Sequence, residues 1–329
     1  MALTGLDIYK LLPKTNCKKC GRPTCLAFAM QLAQKKANLS DCPDVSEDAK
    51  KVLGAAAEPP IKLVTIGSGA KKVEIGQENV LFRHEEKFYH PTGVAVTIND
   101  DLSDEAFSDR LKKLNSLKIS RVGTEIEIDL VAIINKSNNA EKFAEAAKKV
   151  SNGSHLSIIL SSTSVENMKA ALSNCAEKRP LIHGANSQNC EAMAALAKEN
   201  NCPMTVTATT LEELADLAER AKKTGVGEIV SDVSGNNPKE VLQKLTKVRR
   251  AALKKNFRAL GFPMITFVCD DDPFQEISLA STYLLKYAGI VAVNTCEPWG
   301  IMPLLTARAN IFTDPQKPIQ VEPKLYAVG

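Results

Sequence analysis

Residues 204–225 read MTVTATTLEELADLAERAKKTG. The first five, MTVTA, form a short, largely β-branched run of strand length. An amphipathic stretch follows. Thr210 with Glu213 three residues on has the form of a capping box, which marks a helix start. Lys222 and Lys223 followed by Gly225 have the form of a helix end: cations meet the negative end of the helix dipole, and glycine accepts the left-handed turn. The segment therefore predicts one strand feeding directly into one helix.

The same unit recurs on both sides. Strand-like runs stand at 94–98 (VAVTI), 130–134 (LVAII), 156–160 (LSIIL), 180–184 (PLIHG), 204–208, 228–232 (EIVSD), 265–269 (ITFVC) and 290–294 (IVAVN). Helix-like stretches lie between them, among them 140–150, 164–178 and 187–200. Near-continuous apolar runs suit strands covered on both faces. Eight strand–helix units predict an α/β fold of the (β/α)8 TIM-barrel type over residues 91–312. A doubly wound open sheet is the competing architecture. Even spacing, and the lack of a glycine-rich phosphate turn after the first strand, favour the barrel. Ahead of it, KLVTIG, KKVEIG and ENVLFRH predict a small antiparallel β element over 61–90, placed to close one barrel end. Residues 44–60 are expected to link this half to what precedes it: a short helix at 46–53 capped by Ser46, then GAAAEPP. Residues 313–329 carry three prolines and are expected to be an extended tail.

The chain has 329 residues, 44% of them hydrophobic and 24% charged, with a net charge of +4. That is ample material for a large core, mainly aliphatic because aromatic residues make up only 5%. No run is long and apolar enough to span a membrane, and the N-terminus lacks the pattern of a secretory signal. A cytoplasmic location is expected, with no membrane partner. Nucleic acid is not expected either, since the charge is mild and no aromatic residues interleave with it. The basic run KVRRAALKKNFR (247–258) is expected to be a solvated helix face opposite Val248, Ala252 and Leu253.

Nine cysteines remain to be explained. Five of them (Cys175, Cys190, Cys202, Cys269 and Cys296) are isolated and are expected to be buried small apolar residues. The other four are Cys17, Cys20, Cys25 and Cys42, spaced Cys-x2-Cys-x4-Cys-x16-Cys. A reducing compartment argues against disulfides, so the four ask for a metal. Thiolates suit zinc and iron–sulfur clusters, and the spacing leaves both open. TCLAFAMQLAQKKANL (24–39) is expected to be a helix returning the chain to Cys42, with Ala27, Met30, Leu32 and Ala33 available for packing. Gly21 is expected to let the backbone approach the sulfurs and donate N–H groups. Lys14, Lys18, Lys19 and Arg22 form a basic rim.

At this point the chain resembles a family. LTGLDIYKLLPKTNCKKCGRPTCLAFAMQLA with its later DCP is similar to the N-terminal cluster domain of the large, gamma-type subunit of the corrinoid iron–sulfur protein. That protein serves the acetyl-CoA decarbonylase/synthase system. The similarity continues through VEIGQENVLFRHEEKFYH, ALAKENNCP, RRAALKKNFRALGFP and IFTDPQKPI, so it covers nearly the whole chain, in the bacterial, acetogen-like form. It implies a [4Fe–4S] cluster on Cys17, Cys20, Cys25 and Cys42 within residues 1–43. It also implies a corrinoid (cobalamin), bound mainly by the small subunit and by a C-terminal domain that family members carry beyond the barrel. The implied partners are the small subunit in a heterodimer, the methyl-tetrahydrofolate methyltransferase, acetyl-CoA synthase, and a reductive activator or ferredoxin. The implied work is methyl carriage between the two enzymes in anaerobic carbon fixation, with the cluster returning Co(II) to Co(I). Whether the chain counts as an enzyme by itself stays open. One departure stands at Lys19, where relatives carry an acidic residue. A pterin-binding methyltransferase barrel and a zinc-stabilised scaffold are the alternative readings.

Within the barrel, strand C-terminal ends are where chemistry sits. They carry Asn99, Asp100 and Asp101, then His183, Asp232, Asp270 to Asp272, Asn294, Cys296 and Trp299. Asp272 is expected to cap a helix, His183 to be a hydrogen-bonded core residue and Trp299 to be a packing residue. No nucleophile–base–orienter set emerges among them.

Overall fold

The computed structural model describes all residues except 1–4, 34–36, 38, 47–48, 50–58, 122, 269 and 314–329. Most of the expected helix at 46–53 and of the linker after it, Cys269, and the tail from residue 314 on therefore lie outside the described residues. Two compact units emerge, Met1–Pro59 and Pro60–Gly329.

The larger unit is a closed barrel of eight parallel strands. In chain order they are β3 (Gly93–Asn99), β6 (Leu130–Ile134), β7 (Ser157–Ser161), β8 (Leu181–Ala185), β9 (Met204–Thr207), β10 (Ile229–Asp232), β11 (Met264–Val268) and β12 (Ile290–Val293). Each coincides with an expected run to within a residue or so, and their order around the barrel follows the chain. The open sheet is thereby excluded. Side chains alternate between two cores. Val94, Val96 and Ile98 face the surrounding helices, whereas Ala95, Leu130, Ala132, Ile159, Leu181, Val230 and Ile265 fill the interior.

The helices begin where short polar side chains take their orphan N–H groups. Ser103, Asn139, Ser164, Thr210, Asn237 and Asp272 each cap one. Thr210 Oγ1 accepts from the Glu213 N–H at 3.2 Å, but Glu213 turns its carboxylate to the Thr209 hydroxyl at 3.3 Å, so the capping box is half made.

The floor of the barrel is corked. β1 (Val64–Ile66) and β2 (Val73–Ile75) form an antiparallel hairpin whose Val64, Ile66 and Ile75 join the interior core. Each contributes about 1.5–3 kcal/mol by burial. Polar groups fix the hairpin to the starts of the strands. Ser157 Oγ donates to the Lys71 carbonyl at 3.0 Å, the Thr65 N–H donates to Glu228 at 2.8 Å, and Gly67 donates to the Arg179 carbonyl at 2.9 Å. The third run, ENVLFRH, is irregular. Its backbone groups bond to side chains instead of a ladder. The Leu81 and Phe82 N–H groups go to Glu85 and the Val80 carbonyl to Arg249, while Glu78 of the run accepts the N–H groups of Tyr89 and His90 further along.

Arg249 corrects the expected solvated face of the 247–258 run. It is 4% exposed, sits between the rings of Phe88 and Tyr287, and pairs with Glu78 at 3.2 Å. Its neighbours Lys247 and Arg250 do face solvent. A second hairpin, β4 (Lys118–Arg121) with β5 (Thr124–Glu127), precedes β6 and was not expected. No helix among the described residues is long and apolar enough to cross a membrane.

In the smaller unit, α1 (Gly5–Leu11) packs with α2 (Cys25–Ala33). Its core is Ile8, Leu12, Cys25, Phe28, Ala29, Cys42, Val45 and Ala49. The buried face of α2 is thus Cys25, Phe28 and Ala29, at helical spacing. Met30, 43% exposed, lies against Gly5 of α1, whereas Ala33 is exposed, contrary to the packing role expected of it.

A cysteine loop and a polar barrel mouth

Thr24 starts α2: its hydroxyl accepts from the Ala27 N–H at 3.1 Å and its carbonyl from the Phe28 N–H at 3.1 Å. Cys25 is the first helical residue and is buried, as is Cys42. Cys20 is half-buried and Cys17 exposed. The loop that carries Cys17 and Cys20 is unusual in its backbone. Lys14, Asn16 and Lys18 hold φ of 59°, 48° and 63°, and Gly21 holds 73°. Non-glycine residues seldom adopt this left-handed region, and asparagine does so most readily. The Asn16 side-chain oxygen accepts the Cys25 N–H at 2.8 Å. The Gly21 N–H donates to the Lys18 carbonyl at 2.9 Å, so it is not aimed at a sulfur as expected. Space beside Gly21 is open, and its backbone conformation is what favours glycine there.

The four thiols converge electrostatically. Burial pushes the Cys42 thiol up, an Asp44 hydrogen bond opposes this, and the charges of Cys20, Cys17 and Cys25 push it further up. Mutual repulsion of four thiolates is the condition that a bound cation or cationic iron core relieves. Among the described residues, no three Cys, His, Asp or Glu side chains already surround one ion-sized point. Soft thiolate donors, all four on one short loop-and-helix segment, fit an iron–sulfur cluster or zinc. Asp44 accepts from Lys19 at 3.0 Å and from the Cys17 thiol at 3.6 Å. Lys19 is thus partly neutralised within the chain.

At the C-terminal end of the barrel a cavity of about 560 Å³ opens. Of the residues expected at strand ends, it gathers Asn99, His183, Asp232, Asp270, Asp271 and Asn294. The other five stand aside, among them Asp101, which pairs with Lys136 at 3.4 Å. Asp100 is buried, taking the Asn135 amide and both the N–H and hydroxyl of Ser137. Asp272 caps the helix Pro273–Leu285, as expected. Trp299 is not a packing residue: it is 44% exposed and stacks on exposed Phe274, with ring centroids 4.7 Å apart. Cys296 is buried and accepts from Arg110 at 3.6 Å.

His183 is hydrogen-bonded, as expected, and its partners form a relay. Ser161 Oγ lies 2.8 Å from Nδ1, and Nε2 lies 3.0 Å from Asp232 Oδ2. Thr207 and Ser234 also donate to Asp232. Burial pushes the Asp232 carboxyl up, but the His183 hydrogen bond and charge and the Ser234 bonds outweigh it, so it titrates below the usual range. With four donors on its two oxygens, Asp232 is a positioning anion. Groups placed to meet a guest include the Asn99 amide, the Asn294 amide nitrogen, Lys136, Asp270, Asp271 and the Phe267 ring.

Sequence reasoning missed Ser161, Ser234 and the backbone irregularity that follows His183. Between Ile182 and Ala185 the β8–β9 register shifts in a bulge. Gly184 holds φ of 114° there, and a Cβ on it would stand 2.3 Å from the Ser162 carbonyl oxygen. The HG pair closing the PLIHG run was the available signal, since a glycine within a strand marks a bulge or a close backbone approach.

Comparison with known proteins places both units. A family model described as CO dehydrogenase/acetyl-CoA synthase delta subunit matches residues 63–329. A second, described as an Fe–S cluster, matches residues 12–43. The chain is 42% identical over 329 residues to the corrinoid/iron–sulfur protein large subunit of Moorella thermoacetica, covering all of this chain and 74% of that one. It is 35% identical over 342 residues to the acetyl-CoA decarbonylase/synthase complex subunit gamma of Methanothermobacter thermautotrophicus, again covering 100% and 74%. Among solved structures, the 7,8-dihydropteroate synthase of Vibrio fischeri superposes with a TM-score of 0.52 at 12% identity, over 72% of this chain and all of that one. At that identity the likeness speaks for the barrel fold alone.

Proposed function

The chain belongs to the family of corrinoid/iron–sulfur protein large subunits and acetyl-CoA decarbonylase/synthase gamma subunits, and from that premise we propose that it is the cluster-bearing methyl-carrier subunit of such a protein. Cys17, Cys20, Cys25 and Cys42 hold a [4Fe–4S] cluster. The methyl group comes from methyl-tetrahydrofolate on its methyltransferase and goes to acetyl-CoA synthase. The chain works paired with a small subunit, and the corrinoid is held by that pair and by sequence beyond the barrel. When bound, the cluster supplies the low-potential electron that returns Co(II) to Co(I).

The observation that carries this reading is the gathering of Cys17, Cys20, Cys25 and Cys42 in one small unit, where Cys20 packs against the core that holds Cys25 and Cys42. The residues of this chain have three tasks in it. The cysteines, as thiolates, compensate the iron charge. Asn16 and Thr24 fix the loop to the start of α2. Lys14 and Lys18 leave a positive rim for an acidic electron donor.

The test is Cys42→Ala in the assembled protein. Methyl transfer from already reduced cobalt should persist, and reductive rescue of Co(II) should disappear. Rescue that survives overturns the electron-port role. A colourless, zinc-loaded wild-type chain, with no visible absorbance for dithionite to bleach, overturns the cluster in favour of a zinc scaffold.

A second reading draws on the barrel-mouth cavity, where Asn99 and Asn294 stand with Asp270 and Asp271. That lining suits a neutral heterocycle with both donors and acceptors, as a pterin-binding methyltransferase needs. Calorimetry of methyl-tetrahydrofolate with this chain alone decides it: heat of binding supports the second reading, and none removes it.

A further inference from the structure

The ligand loop is shut by one side chain. The hydrogen bond from the Cys25 N–H to Asn16 Oδ1, at 2.8 Å, joins the residue before Cys17 to the first residue of α2. The loop it closes contains Cys17 and Cys20 and ends on Cys25. Three of the four sulfurs thus hang from a ring whose neck is a single amide oxygen. Two further facts make Asn16 specific for this place. Its φ is 48°, a conformation that asparagine tolerates better than other side-chain-bearing residues. The N–H it takes is one of the orphan donors at a helix start, and Thr24 serves a different one, that of Ala27.

We infer that Asn16 is a positioning residue for the cluster, holding the Cys17–Cys20 loop against Cys25 through its side-chain oxygen. The inference rests on the cluster reading above. It assigns Asn16 no iron ligation: the residue acts through the backbone of Cys25. Groups that orient metal ligands from behind typically change metal retention about 10- to 100-fold when removed.

Two substitutions separate the side chain from the backbone. Asn16→Gly reaches the left-handed region freely but has no acceptor. Asn16→Asp keeps an oxygen at the same place. Each full-length protein, with the cluster reconstituted anaerobically, is given a coloured ferrous chelator, and the rate of iron release is followed. Melting of the barrel serves as the folding control. Asn16→Gly should release iron about 10-fold faster or more than wild type, and Asn16→Asp should stay within about 3-fold of it. Wild-type retention in Asn16→Gly overturns the inference, because the backbone alone would then suffice. Equally fast loss from Asn16→Asp overturns it too, because an acceptor at that position would not restore the loop. A wild-type chain that takes up no iron overturns the cluster reading and this inference with it, so the two failures are told apart.

Discussion

Cys175, Cys190 and Cys202 of the barrel are buried, as Cys25 and Cys42 of the N-terminal unit are, yet their surroundings differ. In the barrel they lie in a large aliphatic core. Burial pushes the Cys175 thiol up to about 12 and the Cys202 thiol up to about 11, and raises Cys190 as well. Such thiols stay protonated and inert, and serve as small apolar fillers. Among the described residues of the N-terminal unit, Cys25 and Cys42 are two of eight buried core side chains. Small metal domains with such cores draw folding energy from the group their ligands bind, and the proposed cluster is expected to do the same here. On that expectation the barrel carries its own stability and the cysteine unit leans on a ligand.

Removing the cluster gives the largest effect by which to break that contrast. Anaerobic chelation should expose the first 59 residues to protease while the barrel's melting temperature stays put. A protease-resistant, iron-free N-terminal unit would erase the distinction.

Next come two glycines with left-handed backbones, one in each unit. Gly184→Ala drives a Cβ against the Ser162 carbonyl oxygen and should cost the barrel about 3 kcal/mol or more, read as a fall in its urea midpoint. Gly21→Ala meets open space and should cost only the backbone strain, about 1–2 kcal/mol, with no change in the barrel transition.

Acid should act on the barrel mouth. The folded Asp232 carboxyl titrates below its unfolded value, so the stability it contributes is fully present above about pH 4 and is lost as pH falls through the folded value. Urea midpoints of wild type and Asp232→Asn between about pH 5 and 2.5 should converge toward the acid end; a constant gap would mean the carboxylate contributes nothing pH-dependent.

The smallest effect is a non-event. Cys175, Cys190 and Cys202 should resist iodoacetamide in the native protein at neutral pH, as mass spectrometry of the digest would show. Labelling at the rate of an unfolded control would overturn their role as inert fillers.

The eight strands were legible because short β-branched runs covered on both faces leave an unmixed signal, and the caps were legible because Ser, Thr, Asn and Asp have few other reasons to stand there. The β4–β5 hairpin was not, since Lys118–Arg121 and Thr124–Glu127 are mostly polar and place only Ile119 and Ile126 against the core. ENVLFRH alternates like a strand, but Glu85 and Arg249 claim its backbone groups first. Arg249 was hidden because a charge in a basic run reads as solvated, and only tertiary structure supplies the two rings and the carboxylate around it. The cysteine spacing was plain. The loop geometry behind it, an asparagine closing a ring onto Cys25, follows from φ values that no spacing rule encodes.

The side chains that fill the interior, with the β1–β2 cork beneath them, make the barrel a blind vessel instead of a conduit. Whatever enters the mouth must leave by the same door, and the exchange of any guest is set by the loops at that one rim. A chain in which Ile66 and Ile75 were cut back to alanine would loosen the stopper first. Release of a mouth-bound molecule would then report on residues at the far end of the cylinder.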